Sequence, residues 1–185
     1  LQLKKATRKQ VKLRLNLSAP SGAGKTYSAL RMAYGIVGNW DKIAVIDTEH
    51  NSASLYANDH DFDAMNLEPP YTPERFVEAV KMAESAKYDI LILDSITHEW
   101  SGKGGCLELV DEVARSKFRG NTWSAWNDIT PRHRAFLDCI LRSPLHIIVT
   151  MRSKTETAQV EENNKKKVVK LGMKANGQPP ANVTV

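Results

Sequence analysis

Three stretches of this 185-residue chain carry residue types at spacings suited to chemistry on an anion. The first is Ala19-Pro20-Ser21-Gly22-Ala23-Gly24-Lys25-Thr26. Its glycines let consecutive backbone N–H groups turn inward on an anion, and a helix opening at Lys25 aims its positive end at the same point. Lys25 is then placed to reach terminal phosphates, and Thr26 to ligate Mg²⁺. The pattern G-x-x-x-x-G-K-[ST] asks for Gly where this chain has Ala19, so the match is complete in its second half and altered at its first position. The cradling amides lie in Ser21 to Thr26, so the expected consequence is a small change of loop geometry, not loss of binding. A chance Gly-Lys-Thr in a turn is the competing explanation.

The second stretch is Asp47-Thr48-Glu49-His50, carboxylates that close an apolar run. The third is Asp94-Ser95, closing the apolar run Tyr88-Asp-Ile-Leu-Ile-Leu. An apolar strand ending in Asp, downstream of a phosphate loop, is the usual place for the carboxylate that holds a magnesium shell, which would pair Asp94 with Thr26. The alternative is a helix cap on Ser95 with Asp94 incidental.

These residues need elements that bring them together. Val11 to Leu17 alternates apolar and polar residues, as a half-buried strand does, and delivers the chain into the loop. A helix over Thr26 to Val37 follows, with Ala29, Leu30, Ala33, Ile36 and Val37 at helical spacing and Gly38-Asn39 as its stop. Lys42 to Asp47 reads as a buried strand, residues 51–72 as irregular and acidic, and Thr72-Pro73-Glu74 as the start of a helix to about Lys87. Asp59-His60-Asp61-Phe62-Asp63 imitates the start of a calcium loop, but Ala64 and Pro70 stand where Gly and Glu are needed. Beyond the Tyr88–Asp94 strand come a Gly-rich loop at Ser101–Gly105, a helix at about Leu107 to Phe118, another beginning at Pro131, and a strand at Leu145–Thr150. Residues 155–162 and 165–173, separated by Asn163-Asn164, read as a C-terminal β-hairpin. Strands alternating with helices argue for an α/β fold, a mainly parallel sheet with helices on both faces. A single domain covers 1–185, with a core at about 10–175, a basic arm at 1–9 and an irregular tail at 176–185.

Composition is that of an ordinary globular chain, 42% hydrophobic and 25% charged, with a net charge of +5. The basicity is confined to the flanks. Residues 1–14 hold six Lys/Arg and no acid, residues 151–174 hold seven bases against three acids, and the remainder is acidic. Basic flanks suit a polyanion, although a charge run is more often a solvated face. Cys106 and Cys139 have neither metal spacing nor a disulfide framework, which points to a reducing compartment. No apolar run is long enough for a signal segment or a membrane span, so a cytoplasmic location is expected. The histidines are singly placed, and no metal cluster is expected beyond the Mg²⁺ that accompanies a nucleotide.

Ile43-Ala-Val-Ile-Asp-Thr-Glu-His50, Leu91-Ile-Leu-Asp-Ser95 and the strand running into Thr150-Met-Arg-Ser-Lys154 resemble the RecA-type ATPase core. Pro20 to Leu30, Thr122-Trp-Ser-Ala-Trp126, Thr130-Pro-Arg-His133 and Thr150 to Lys154 resemble more closely a group of phage-associated RecA-like ATPases of the P-loop AAA family, whose members include single-strand annealing proteins. The resemblance implies a RecA-like P-loop NTPase with Walker A and Walker B motifs, ATP and Mg²⁺ as its ligands, and a phage or prophage origin in a bacterial host. It implies Ser21, Gly22, Ala23, Gly24, Lys25, Thr26 and Tyr27 as nucleotide contacts. It assigns the water-orienting carboxylate to Glu49, because Ser95 stands where many related ATPases carry that group; Glu99 is the competitor. It places Thr150 where RecA-type proteins sense the γ-phosphate, though with Thr-Met in place of Asn-Gln. Arg152 and Lys154 are candidates for charge stabilisation in cis or from a neighbouring subunit, or else simply a basic strand end.

A single-stranded DNA partner needs basic groups with aromatic faces for stacking. Lys103, Lys117 and Arg119 with Trp123 and Trp126 are the candidates, the alternative being that both Trp residues pack their segment onto the core. Two further readings are a slow nucleotide-gated module that passes DNA or a protein to a partner, and a small-molecule kinase on a phosphate-loop scaffold. Homo-oligomers with shared ATP sites fit the first reading.

Overall fold

A computed structural model describes the backbone of residues 11–162 and 165–175 and the side chains of residues 11–153. Five strands form a parallel sheet in the order β1-β5-β4-β2-β3, where β1 is Arg14–Ala19, β2 Ile43–Asp47, β3 Asp63–Asn66, β4 Ile90–Asp94 and β5 His146–Glu162. β6, Lys165–Ala175, pairs antiparallel with the outer half of β5. The sequence-based hairpin strand at 155–162 and the strand at Leu145–Thr150 are therefore one element. The basic arm, the Asn163-Asn164 turn and the tail fall outside the described residues.

β2 and β4 are buried at every position because helices cover both faces of the sheet. Side chains alternate faces along a strand, and the two cores divide accordingly. Ile43 and Val45 of β2, Ile90 and Ile92 of β4 and Ile148 of β5 meet Ala29, Leu30 and Ala33 of α1, Lys25–Val37. Ala44 and Ile46, Leu91 and Leu93, Ile147 and Val149 meet Phe76, Ala79 and Val80 of α2, Pro73–Ser85, and Phe136 and Ile140 of α5, Thr122–Arg142. Phe76 and Phe136 tilt against each other with ring centroids 5.3 Å apart. A third cluster joins α3, Thr97–Ser101, and α4, Cys106–Lys117, to the first half of α5 through Trp100, Cys106, Val110, Ala125 and Ile129.

Several sequence-based expectations change. β1 starts at Arg14 and runs on through Ala19. Ile36 is exposed, so the buried stripe of α1 is narrower than its apolar pattern. Pro131 does not open a helix; it sits inside α5, which starts at Thr122 and is capped by Asn121, whose Oδ1 accepts from Ser124 N at 3.2 Å. Ala125, Ile129, Phe136 and Ile140 continue one buried stripe through the proline, and that burial outweighs its lost hydrogen bond. Residues 51–72 are less irregular than expected, with a 3₁₀ turn at Ala53–Tyr56 and the edge strand β3.

The strand order positions the chemistry. β5 lies between β1, which feeds the phosphate loop, and β4, which ends in Asp94. Asp47 lies opposite Asp94, Leu17 opposite Thr150 and Ala19 opposite Arg152, so these strand ends share one edge of the sheet. In open α/β sheets that carboxyl edge is where ligands sit.

Candidate nucleotide-binding site

The loop Pro20–Gly24 leaves β1 and enters α1 through two left-handed residues, Gly22 at φ 78° and Gly24 at φ 77°. Those angles strain any side chain, so the two glycines are backbone requirements. Ala19 is still part of β1, in extended chain that any residue adopts, which explains how the motif accommodates alanine at its first position. No acidic residue occupies the first turn of α1, leaving its positive end free for an anion. Lys25 Nζ donates to Pro20 O at 2.8 Å.

Asp94 is 2% exposed, and its two carboxylate oxygens are engaged separately: Thr26 Oγ1 donates to Oδ2 and Thr150 Oγ1 to Oδ1. Burial pushes its carboxyl above the ordinary range, the Thr150 and Thr26 hydrogen bonds oppose this, and the charges of Asp47 and Glu49 add to the rise. A divalent cation would relieve that build-up of negative charge. Hard oxygen donors from Thr26 and Asp94 fit Mg²⁺, which takes one or two carboxylates and completes its shell with water and phosphate.

Glu49 faces Arg152 across the same space. Arg152 Nε donates to Glu49 Oε1 at 2.7 Å, Arg152 Nη2 donates to Oε2, and Ser95 Oγ donates to Oε1 at 3.0 Å. Burial raises the Glu49 carboxyl, but the Arg152 hydrogen bonds and charge, with Ser95, outweigh it and hold the group below its usual range. Arg152 is pushed up by the same hydrogen bond. Asp47, the other acid of that strand end, is turned inward: its Oδ1 accepts from Glu49 N at 2.6 Å and its Oδ2 from Ala53 N at 2.8 Å. It shapes the loop that carries Glu49.

Ser21, Gly22, Gly24, Lys25, Thr26, Glu49, Asp94 and Arg152 line one cavity of about 220 Å³, together with Ser52, Leu55 and Tyr56. A family model described as an AAA domain matches residues 11–183. The chain belongs to the AAA-domain family. That family is one of P-loop ATPases, so nucleotide binding and hydrolysis are the activities that membership carries. No curated protein matches the chain. Among the described residues, no helix of this AAA-domain protein is long and apolar enough to cross a membrane.

The sequence reading missed Ser52, Leu55 and Tyr56, which form the cavity wall away from the phosphate loop; no motif marks them. Ala23 and Tyr27 do not line the cavity, and Tyr27 packs on Tyr56 with ring centroids 5.7 Å apart. Thr150 is reached through Asp94. Glu99 lies elsewhere, 1% exposed on α3, bonded to His133 and Cys106. Lys154 falls outside the described side chains.

The proposed DNA-contacting residues are only partly brought together. Trp126 is not an open stacking face, because it stacks on Trp100 with centroids 5.4 Å apart in the third core cluster. Lys117 Nζ is paired with Asp128 Oδ2 at 2.9 Å. Trp123 is 79% exposed, close in sequence to the exposed Arg119. Lys103 is exposed on the Gly102–Gly105 loop, where its carbonyl accepts from Tyr71 N at 2.8 Å.

Proposed function

We propose that this AAA-domain protein is a RecA-like, Mg²⁺-dependent ATPase that hydrolyses ATP to ADP, and that it couples turnover to single-stranded DNA in phage recombination or replication. The observation that carries the hydrolytic part is the convergence of Thr26 and Thr150 on the two oxygens of Asp94, with Glu49 across the same cavity. Amides of Ser21 to Thr26 and the Lys25 ammonium bind the β- and γ-phosphates. Thr26 and Asp94 hold Mg²⁺, which when bound neutralises charge on the phosphate oxygens. Glu49 accepts a hydrogen bond from the attacking water and orients it in line with the γ-phosphate, while Arg152 supplies positive charge as negative charge shifts in the transition state. Tyr56 and Leu55 give the remaining wall of the cavity an apolar surface suited to a nucleobase.

The test is ATP hydrolysis with Mg²⁺, with and without single-stranded DNA, beside Lys25→Ala. Loss of the ammonium that meets the phosphates lowers turnover at least about 100-fold. A variant as active as the unmodified chain refutes this placement of the site.

Support for the DNA coupling rests on the exposed indole of Trp123 near Arg119. Trp123→Ala and Arg119→Ala are expected to weaken oligonucleotide binding and, for Arg119, to flatten its salt dependence. Turnover indifferent to DNA, with ATP-dependent capture of a partner, would select the nucleotide-gated module instead.

A further inference from the structure

The Glu49 carboxylate is held by two different kinds of partner. Arg152 engages both oxygens through the end of a long side chain that is 41% exposed, whereas Ser95 engages only Oε1, and Ser95 itself is 0% exposed. Ser95 cannot drift. Its N–H donates to Thr48 Oγ1 at 2.9 Å, and its carbonyl accepts from the same hydroxyl at 2.9 Å. That hydroxyl, its one proton given to Ser95 O, is left to accept from His98 Nδ1 at 2.7 Å, which assigns the ring proton to Nδ1. Thr48 thus stitches the end of β2 to the residue after β4. Arg152 is fixed only at its backbone, where its N–H donates to Thr97 Oγ1 at 2.9 Å, so its guanidinium can change partner while the strand stays put.

A guanidinium on both oxygens competes with water for Glu49. An anion bound against Gly22, Gly24 and Lys25 enters the same cavity and offers Arg152 a second, more highly charged acceptor. We propose that Arg152 is a releasable lock on Glu49 and that Ser95 is the positioning residue that keeps Oε1 in place once the lock opens, leaving Oε2 free to accept from water. This deepens the hydrolytic reading above and rests on Glu49 as the water-orienting group. The lock also taxes binding, because Arg152 must leave Glu49 before it can serve the nucleotide.

The two parts have separate readouts. For the lock, a fluorescent ATP analogue and its ADP counterpart are titrated into the unmodified chain, Glu49→Gln, Arg152→Ala and the double variant. A neutral amide holds Arg152 less firmly, so Glu49→Gln is expected to tighten the triphosphate about threefold or more and the diphosphate little, with the gain absent when Arg152 is missing. No gain, or a gain that survives Arg152→Ala, overturns the lock.

For Ser95, kcat and affinity are measured in Ser95→Ala, Glu49→Gln and the pair. Ser95→Ala is expected to lower kcat about tenfold with analogue affinity unchanged, and to add nothing in the Glu49→Gln background. An equal loss in both backgrounds, or an affinity loss matching the kcat loss, overturns the positioning role. Absence of turnover in the unmodified chain removes the hydrolytic reading, and the role of Ser95 with it; the lock is still decided by the affinities.

Discussion

Glu49 and Glu99 each follow a strand-ending aspartate by a few residues, yet the fold gives them opposite surroundings. Glu49 opens onto a cavity, and its main partner is Arg152, whose side chain is 41% exposed. Glu99 is walled in, its side chain 2% exposed. His133 Nδ1 lies 2.9 and 3.1 Å from its two oxygens, and Cys106 Sγ donates to Oε1 at 3.1 Å. Trp100 sets its ring edge-on to His133 with centroids 5.3 Å apart, and Trp126 stacks behind it. Burial first, then the charge of Glu99, pushes the Cys106 thiol far above its ordinary range, so it remains a protonated donor. The donor atoms of Glu99, Cys106 and His133 lie within 4.8 Å of one another, a juxtaposition that their spacing in the sequence does not reveal, and they satisfy each other. Access and an exchangeable partner suit a carboxylate to chemistry, whereas a closed set of hydrogen bonds suits one to joining α3, α4 and α5.

The comparison breaks most easily at Glu49. Glu49→Gln keeps the shape and removes the charge, so turnover is expected to fall about 100- to 1,000-fold while ATP remains bound. Single-turnover hydrolysis and analogue binding check this. Unchanged turnover would remove the water-orienting role from Glu49.

Glu99→Gln should behave in the opposite way. Replacing one carboxylate oxygen by an amide nitrogen breaks the closed set of hydrogen bonds that Glu99 shares with His133 and Cys106, and unfolding free energy is expected to drop by about 2 kcal/mol. Turnover per folded molecule should stay within about threefold. Urea unfolding beside an ATPase assay decides it. A large loss of turnover at unchanged stability would erase the distinction between the two glutamates.

How much of this was legible beforehand depends on how local each signal is. Gly22, Gly24, Lys25 and Thr26 act through their own backbone and the helix they open, so eight consecutive residues contain the information. β2 and β4 were legible because burial on both faces demands unbroken apolar runs. β3 was not: Asp63-Ala-Met-Asn is a four-residue edge strand, mostly exposed, with no periodicity to detect. The wall at Ser52–Tyr56 takes its place from Asp47 gripping Ala53 N, a contact inside a segment that reads as loop. Ser95 was visible only as a possible helix cap and as the residue standing where a carboxylate was sought. Its contact with Glu49 exists because β2 and β4 pair with Asp47 opposite Asp94. Pro131 misled because a proline is common at a helix start, while the stripe from Ala125 to Ile140 is a property of the tertiary fold.

The smallest effect is expected from the ion pair beside His133. Arg132 makes a bidentate pair with Glu74 of α2, Nε to Oε1 at 2.6 Å and Nη2 to Oε2 at 2.8 Å, with both side chains at least one-third exposed. The Arg132 hydrogen bond, opposed by some burial, holds the Glu74 carboxyl at about 2 against an ordinary 4.5. Because the folded value is the lower one, the stabilisation is fully present above about 4.5 and is lost as pH falls through about 2. Solvent screening limits its size. Glu74→Gln is expected to cost about 0.5 kcal/mol near neutral pH, less at high salt, with the difference from the unmodified chain narrowing as pH drops from about 4.5 toward 2. Urea midpoints at pH 7 and pH 3, at low and high salt, give the answer. A cost near that of Glu99→Gln, insensitive to salt, would mean that burial is not what separates these two neighbouring contacts of α5.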